Sequence, residues 1–363
     1  MSPLFDPNKP FNNLPKLPPL KDVATNKVLQ RTTPVARAVA ELKGVGRVIP
    51  NQAILIDSLI LQEAKASTEI ENIVTTTDAV YKAFSASTKQ VDSATKEVLR
   101  YREGLWFGYN QLEKRPVLNT NLFIDCVQLL KQNNAGIRNT PGTKIVNLAK
   151  GEVLYTPPEG EGRIRDMLSD LEKFMHDESG LDPLIKLPLM HYQFEAIHPF
   201  IDGNGRTGRI LNLLFLTLHG LLDYPVLYLS KFIIENKNDY YKLLRGITSN
   251  QEWEPWILYM LDGIEETAIY SRDKILAIKE LMDTTVDKAR DLLPNKVFSK
   301  ELIELLFERP YTKIQHLVDK DIAKRETASM YLKELESVHL LKSQRVGKEL
   351  LYLNTGLFEL LSD

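Results

Sequence analysis

Residues 198–209 read HPFIDGNGRTGR and run directly into an apolar stretch at 210–218. Gly203, Gly205 and Gly208 fall within six residues, so the backbone can turn sharply and expose consecutive N–H groups. The apolar stretch predicts a helix that begins in this segment, with the positive end of its dipole at the glycines. A loop that leads into a helix N-terminus in this way is suited to bind a polyphosphate.

Polar side chains in the same segment offer the groups that phosphoryl chemistry needs. We expect the Asn204 amide to donate to a phosphate oxygen. Arg206 and Arg209, three residues apart, are expected to grip phosphates and spread developing charge. Asp202 offers a hard carboxylate oxygen for a Mg²⁺ ion shared with nucleotide phosphates. Histidine side chains titrate near neutral pH, so His198 is the candidate base for an attacking hydroxyl.

Each of these features has a structural alternative when it stands alone. A histidine before a proline commonly has a structural role, and a Gly-Asn-Gly sequence commonly forms a simple turn. Two arginines on a helix commonly form a solvated face. Here a base, a carboxylate, a glycine loop and two arginines occur within twelve residues, and this combination favours a nucleotide-phosphate site.

The pattern H-P-F-x-D-G-N-G-R-x-x-R at 198–209 resembles the signature of Fic-domain protein adenylyltransferases at every fixed position. The resemblance implies transfer of AMP from ATP, with Mg²⁺, to a Ser, Thr or Tyr hydroxyl of a target protein, with self-modification as a side activity. The roles it implies are general base for His198, Mg²⁺ ligand for Asp202, anion hole for Gly203, Asn204 and Gly205, phosphate ligand for Arg206 and γ-phosphate ligand for Arg209, with Thr207 and Gly208 completing the nucleotide-binding loop.

Two further segments extend the resemblance. In residues 142–160, β-branched residues flank Lys150-Gly151 and Pro157-Pro158 ends the run, which predicts a short β-hairpin. It resembles the Fic flap, which pairs with the main chain of a target as an added strand. Tyr241 falls where the family has tyrosines near the nucleotide, so it is a candidate for adenine packing. The alternative is an ordinary pair of core or interface tyrosines with Tyr240.

Residues 67–72 read STEIEN and resemble the inhibitory helix motif of Fic proteins, in which Ser or Thr precedes Glu by four positions. The resemblance makes Ser67, Glu71 and Asn72 candidate inhibitory residues and implies that Glu71 pairs with Arg209, next to the nucleotide. The alternative is an ordinary helix, because Glu after Ser is common on helices.

The whole sequence predicts a mainly α-helical protein with a Fic-type core, a small hairpin and a C-terminal winged helix-turn-helix. Helical periodicity covers 51–73, 89–112, 120–133, 164–178, 184–197, 205–219, 238–247, 253–290 and 299–307. The predicted domains are an N-terminal arm and helical region at 1–112, a catalytic core at 113–265, a linking helix at 266–294 and the winged helix-turn-helix at 295–363.

The C-terminal segment is not basic, as a DNA-binding module usually is. Residues 296–363 contain 11 Lys plus Arg and 11 Asp plus Glu. Contact with DNA is therefore possible but not favoured, and docking to protein or a homodimer contact is preferred. A nucleotide-sensing transcription regulator remains the alternative from another class, and a Fic enzyme that mainly removes AMP is the alternative among enzymes.

Composition and charge restrict the remaining classes of protein. Of 363 residues, 43% are hydrophobic and 26% charged, which is typical of a folded globular protein rather than a disordered one. A net charge of -2 gives no overall attraction to nucleic acid or to a membrane. The one cysteine, Cys126, is expected to be a buried thiol. The apolar stretch at 210–222 is too short for a membrane span, and the proline-rich start shows no leader, so we expect a cytoplasmic protein.

Overall fold

A computed structural model describes residues 5–47, 49, 52–86, 91–147, 151–178 and 180–362. Within them the helices are α1 Asn26–Gly46, α2 Gln52–Ile70, α3 Thr77–Ser85, α4 Ser93–Lys114, α5 Thr120–Lys131, α6 Glu161–His176, α7 Pro183–Ile197, α8 Asn204–Leu218, α9 Leu229–Glu235, α10 Lys237–Asn250, α11 Trp253–Leu292, α12 Lys300–Leu305, α13 Ile314–Asp319, α14 Arg325–Ser337 and α15 Thr355–Ser362. The strands are β1 Ile145–Asn147, β2 Glu152–Tyr155, β3 Tyr311–Thr312, β4 Lys342–Val346 and β5 Glu349–Leu353.

The mainly helical class predicted from the sequence is confirmed, with some differences in the elements. Four helices, α1, α3, α9 and α15, were not predicted. Helix α1 continues through Pro34, a residue that usually interrupts a helix. Helix α4 begins later than predicted because the Asp92 carboxylate accepts the backbone N–H of Thr95 and caps its start. The sequence favours Asn51 as the N-cap of α2, and this residue lies outside the described residues.

The chain forms two compact units, each assembled from segments that are distant in sequence. One consists of Met1–Ala40 and Arg100–Thr267, and the other of Glu41–Leu99 and Ala268–Asp363. We call them the first and second units. The four predicted domains remain a prediction, since the units divide the chain at other positions.

The core of the first unit is the helix pair α7 and α8. Residues 184–194 of α7 and 206–216 of α8 are buried, and the two helices pack against each other. Helix α6 packs on α7, and α5 packs on α8. In α5 the thiol of Cys126 is buried as predicted, and burial raises its pKa to about 12. Because residues 206–216 are buried, the apolar run after the glycine loop is a core helix.

The predicted hairpin is confirmed in the same unit. Strands β1 and β2 pair antiparallel, with Ile145 opposite Tyr155 and Asn147 opposite Glu152. Gly151 has a φ of 65°, a value that glycine adopts readily at a turn. The connection at 148–150, including the predicted turn residue Lys150, lies outside the described residues.

The second unit joins N-terminal helices to the C-terminal segment. Helix α2 contacts α15, where the Gln62 amide donates to the Leu361 carbonyl at 2.7 Å. Helix α3 contacts β3, where the Tyr311 hydroxyl meets the Asp78 carboxylate at 2.5 Å. The C-terminal strands form a sheet in the order β3-β5-β4, with α13 and α14 between β3 and β4. Its assignment as a winged helix-turn-helix stays a prediction.

No helix within the described part of the chain is long and apolar enough to cross a membrane.

Candidate active site

The segment 198–204 forms a tight loop between the two core helices. His198 ends α7 in the left-handed conformation, with φ 49° and ψ 60°, and its N–H donates to the Phe194 carbonyl at 3.0 Å. Phe200 is fully buried, so it anchors the loop in the core as an apolar residue at this position should. This conformation turns the chain sharply, so that α8 starts only six residues after His198.

The Asn204 side chain closes this loop on itself. Its amide oxygen accepts the Phe200 N–H at 2.8 Å, and its amide nitrogen donates to the Phe200 carbonyl at 2.8 Å. Asn204 is 2% exposed. The sequence predicts that this amide donates to a phosphate oxygen, whereas in the structure its oxygen and its nitrogen both bond to the main chain of Phe200. Its position therefore favours a role in shaping the loop.

The start of α8 combines backbone N–H groups with buried positive charge. The Thr207 N–H donates to the Gly203 carbonyl at 3.0 Å and closes the first turn of the helix. Arg206 and Arg209 are 2% and 3% exposed, so both guanidinium groups belong to a water-poor region where charge acts strongly. The helix start therefore offers an anion both dipole and charge.

Two other predicted loop residues face the protein interior. The Thr207 side chain is completely buried. A Cβ on Gly208 would lie 3.1 Å from Cδ1 of Phe194 and would overlap the Glu195 carboxylate. Gly208 therefore allows α8 to approach α7 closely. The arrangement supports a packing role for these two residues in place of the predicted contact with nucleotide.

Asp202 lies on the exposed side of the loop and pairs with a lysine of α5. Its Oδ2 is 2.5 Å from Lys131 Nζ, and its Oδ1 accepts the Gly203 N–H at 2.6 Å. Burial acts to raise the pKa of Asp202, but Lys131, the Gly203 N–H and Arg206 outweigh it and lower that pKa. The carboxylate is therefore ionised at neutral pH, as a metal ligand must be.

Whether these residues fit a Mg²⁺ ion depends on the donor set. The described residues contain no cluster of three or more His, Cys, Asp or Glu side chains that could hold a metal. Magnesium in nucleotide sites is commonly held by one or two carboxylates together with phosphate oxygens and water. The Asp202 side chain is 62% exposed, so it is suited to be the single carboxylate ligand of Mg²⁺ once Lys131 moves aside.

An apolar cavity of about 320 Å³ lies between the hairpin, α7 and α10. Tyr241 lines it together with Ile145 and Tyr155 of the hairpin and Glu195 of α7. The neighbouring Tyr240 is buried, and its hydroxyl hydrogen-bonds Nε2 of His191 at 2.7 Å. The two tyrosines therefore differ. Tyr240 belongs to the core, and the 46% exposed Tyr241 is the one able to contact a ligand.

The predicted inhibitory residues lie at the end of α2, in the second unit. Ser67 is buried within the helix, and the Glu71 N–H donates to the Thr68 carbonyl at 3.1 Å as the helix ends. Asn72 follows with a φ of 61°, typical of the residue that terminates a helix. Glu71 and Arg209 belong to different units, and their pairing stays a prediction.

Three family models match successive parts of this chain. The model described as Fic/DOC family N-terminal matches residues 29–110, and the Fic/DOC family model matches residues 118–216. The C-terminal domain model of protein adenylyltransferase SoFic-like matches residues 281–357. The chain belongs to the Fic/DOC family. The 118–216 match contains the hairpin, α7, the glycine loop and the start of α8, so it coincides with the site described above.

Solved structures of Fic proteins share the fold. A Fic family protein from Desulfovibrio desulfuricans G20 aligns over 91% of this chain and 97% of its own, with a TM-score of 0.54 and 17% identity. A Fic domain containing signaling protein from Bacteroides thetaiotaomicron aligns over 67% of this chain and 95% of its own, also with a TM-score of 0.54 and 17% identity. At this identity the likeness concerns the Fic fold alone.

Curated relatives match the Fic region of the chain. Protein adenylyltransferase Fic of Drosophila yakuba is 33% identical over 112 residues, which is 30% of this chain and 21% of the relative. The protein of the same name from Drosophila melanogaster is 31% identical over an equal length. The chain thus spans about a fifth of the length of these relatives.

Sequence reasoning missed one buried arginine of the Fic/DOC domain. Arg138, 2% exposed, donates from Nε to the His198 carbonyl at 2.7 Å and from Nη2 to the Ile197 carbonyl at 3.2 Å. Nη2 also donates to the Pro158 carbonyl, just after the hairpin. Burial lowers the pKa of this guanidinium. The Arg138 side chain thus joins the end of α7 to the exit of the hairpin.

Two more residues of the Fic/DOC site, Lys131 and Tyr155, have sequence positions that do not predict their roles. Lys131 is the last residue of α5, where a lysine normally offsets the helix dipole. Its position in the sequence therefore does not predict its tertiary contact with Asp202. Tyr155 is half-buried, and its hydroxyl donates to the Ala196 carbonyl at 2.8 Å. In the sequence, Tyr155 indicates only a strand of the hairpin.

Proposed function

We propose that this chain is a protein adenylyltransferase that moves AMP from ATP to a Ser, Thr or Tyr hydroxyl of a target protein. The observation that carries the proposal is the loop 198–209. It brings together a histidine in a fixed left-handed conformation, a helix N-terminus and two buried arginines, within the domain that matches the Fic/DOC family. The names of the curated relatives and of the C-terminal family model agree with it.

Each group of the loop has a role in this reaction. The acceptor hydroxyl oxygen attacks the α-phosphorus while His198 removes its proton, and the bond from that phosphorus to the bridging oxygen breaks to release pyrophosphate. The α8 N-terminus with Arg206 and Arg209 holds the phosphate oxygens and stabilises the charge that develops on them. A Mg²⁺ ion held by Asp202 would supply further neutralisation of the phosphates.

The hairpin and the cavity beside it account for the other parts of the substrates. The apolar cavity lined by Tyr241 suits a flat nucleobase, since an aromatic face and apolar walls bind a ring without hydrogen-bond selection. A free edge of the hairpin suits a target segment that adds as a further strand. Recognition of this kind depends on main chain more than on target sequence.

We further propose that Glu71 restrains the enzyme. A Glu71 carboxylate bonded to the Arg209 guanidinium would occupy donors that should receive the γ-phosphate. ATP would then bind with its α-phosphorus out of line with the incoming hydroxyl, which lowers the rate more than the affinity. The Ser67–Asn72 motif together with the complete loop supports this proposal.

Labelling with ATP that carries a radioactive α-phosphate tests the activity. We expect covalent label on protein, and at least about tenfold more with Glu71→Gly, equivalent to roughly 1.4 kcal/mol of barrier. Combining Glu71→Gly with Arg209→Ala should lose that gain. His198→Ala, added to Glu71→Gly, should abolish labelling while ATP binding persists.

A matched control separates the effect of losing the Glu71 carboxylate from the effect of placing a glycine near the end of a helix. Glu69→Gly removes a glutamate two positions earlier, inside α2, whose Oε2 lies 3.5 Å from Lys65 Nζ, and it should not activate the enzyme. Equal labelling of wild type and Glu71→Gly at saturating ATP would reject the restraint. Undiminished labelling with His198→Ala would reject the proposed base.

A further inference from the structure

The N-terminal arm, residues 5–16, runs along the first unit next to the candidate active site. It precedes the first residue matched by any of the three family models, residue 29. Its proline-rich sequence forms no helix or strand. Its position is therefore fixed by tertiary contacts, which can be followed from Phe5 to Lys16.

Polar contacts bind the arm to the chain that leaves the hairpin. The Phe11 N–H donates to the Thr156 carbonyl at 3.0 Å, and the Thr156 hydroxyl donates to the Pro7 carbonyl at 2.6 Å. Three residues further, the Glu159 N–H donates to the Asn12 side chain at 3.0 Å. Main-chain groups on both sides are therefore satisfied, which makes this contact specific in register.

Aromatic contacts continue the same attachment onto the hairpin itself. The ring of Phe5 stacks on Tyr155 at 6.1 Å between centroids, and Phe11 meets Tyr155 edge to face at 6.2 Å. Phe5 and Phe11 also contact each other at 5.7 Å. Since the Tyr155 hydroxyl donates to Ala196 of α7, the arm, the hairpin and α7 form one packed layer.

Phe5 is also one of the residues that line the 320 Å³ cavity, together with Tyr241. An aromatic ring at this wall offers a π-face on which a bound base can stack. Such stacking does not reach the phosphates, which the α8 N-terminus is suited to hold. The arm is therefore suited to contact the base of a nucleotide and not its phosphates.

We propose that the N-terminal arm forms a wall of the nucleobase pocket, with Phe5 as a base-contacting residue and Phe11 and Asn12 as residues that position the hairpin. This inference rests on the proposed function, because it takes the cavity as the site of the adenine of ATP. It assigns part of the affinity for the nucleotide to a segment that the family models do not cover.

The test compares the binding of ATP with that of inorganic tripolyphosphate by isothermal titration calorimetry. In the full chain, Phe5→Ala should raise the Kd for ATP about tenfold and leave the Kd for tripolyphosphate within twofold. Phe5→Tyr, which keeps the ring, should bind ATP within about threefold of wild type. Lys16, on the same arm, forms an ion pair with Asp170 of α6, and Lys16→Ala should change neither value.

A second variant tests the attachment to the hairpin. Asn12→Ala removes the acceptor of the Glu159 N–H, so hydrogen exchange at that amide should become at least several-fold faster. Unchanged ATP affinity in Phe5→Ala would overturn the base-contacting role. Unchanged exchange at Glu159 in Asn12→Ala would overturn the positioning role.

The outcomes also separate this inference from the proposed function. Phe5→Ala that binds ATP like wild type, in a chain that still labels protein, would reject the arm alone. Loss of ATP affinity in Phe5→Ala, in a chain that transfers no AMP even with Glu71→Gly, would reject the transferase and keep the pocket. Failure of wild type to bind ATP would reject both.

Discussion

At the residue scale, Arg138 is the side chain through which the geometry of His198 is maintained. Its guanidinium donates to three main-chain carbonyls, two at the end of α7 and one at the exit of the hairpin. Its backbone N–H donates to the Pro199 carbonyl at 2.9 Å. A buried guanidinium can satisfy several carbonyls in fixed directions because its five N–H donors are planar and rigid. Arg138 is thus a positioning residue for the proposed base.

We expect Arg138→Lys to lower kcat for AMP transfer by about ten- to a hundredfold, with the Kd for ATP changed less than threefold. Lysine keeps the charge but cannot bond three carbonyls in these directions, and misplacing a base lowers rate more than binding. Steady-state kinetics in the Glu71→Gly background and calorimetry measure the two quantities.

Arg163 provides the matched control for this substitution. It is an exposed arginine that also donates to a main-chain carbonyl, that of Glu159, at 2.9 Å. Arg163→Lys should leave both quantities unchanged. Equal kcat for Arg138→Lys and Arg163→Lys would refute the positioning role.

At the element scale, the close approach of α7 and α8 determines where the loop residues stand. Gly208 is a point of close contact, because its missing side chain leaves room for Phe194 and Glu195. Helices that pack this closely transmit small shifts of backbone directly. The position of the two arginines therefore depends on a glycine that itself need not touch a ligand.

Gly208→Ala should lower the free energy of unfolding by about 1–3 kcal/mol, since the added methyl must displace the Phe194 ring and the Glu195 carboxylate. Gly162→Ala is the matched control in another helix of the same unit, where a Cβ meets nothing within 4 Å. It should leave stability equal to wild type or slightly higher, because alanine favours the helix. Similar losses for both variants in urea unfolding would contradict the packing role.

Local patterns allowed the sequence to predict the loop, the hairpin and most helices. The loop residues are close in sequence, so spacing alone placed a turn, a helix start and an apolar helix at the right positions. The contacts of Lys131 with Asp202 and of Phe5 with Tyr155 join residues far apart in sequence, and no periodicity reports such pairs. Helix α1 was missed because Pro34 opposes helix formation locally while tertiary burial of residues such as Val35 favours it.

At the scale of the whole molecule, the first unit has its own fluorescence reporters and a buried histidine. The three tryptophans, Trp106, Trp253 and Trp256, all belong to the first unit, so their fluorescence follows the unfolding of that unit. His191 stacks on Trp256 at 6.0 Å between centroids. Burial, and then the charge of Arg209, lowers the pKa of His191 from 6.5 to about 3.

The lowered pKa of His191 predicts acid sensitivity of the first unit. Below pH 6.5 the unfolded chain takes up a proton at His191 that the folded chain does not bind until about pH 3. The free energy of unfolding should therefore fall as the pH is lowered through this window, by up to about 1.4 kcal/mol per pH unit from this group.

Replacement of the histidine isolates its contribution. His191→Gln keeps a polar group near the Tyr240 hydroxyl but does not titrate, so its stability should fall less steeply than that of wild type between pH 6.5 and pH 3. Tryptophan fluorescence in urea at each pH gives both curves, and the titrations of all other groups are common to them. Parallel curves would show that His191 is not the source.

The bonds of Arg138 to carbonyls have a consequence for comparative genomics. Every amino acid at positions 158, 197 and 198 presents the same main-chain oxygen, so substitutions there require no compensating substitution at 138. Statistical coupling between alignment columns will therefore not connect Arg138 to its partners. Arg138 should instead be evident as a column that tolerates no other residue, while positions 158 and 197 vary independently of it.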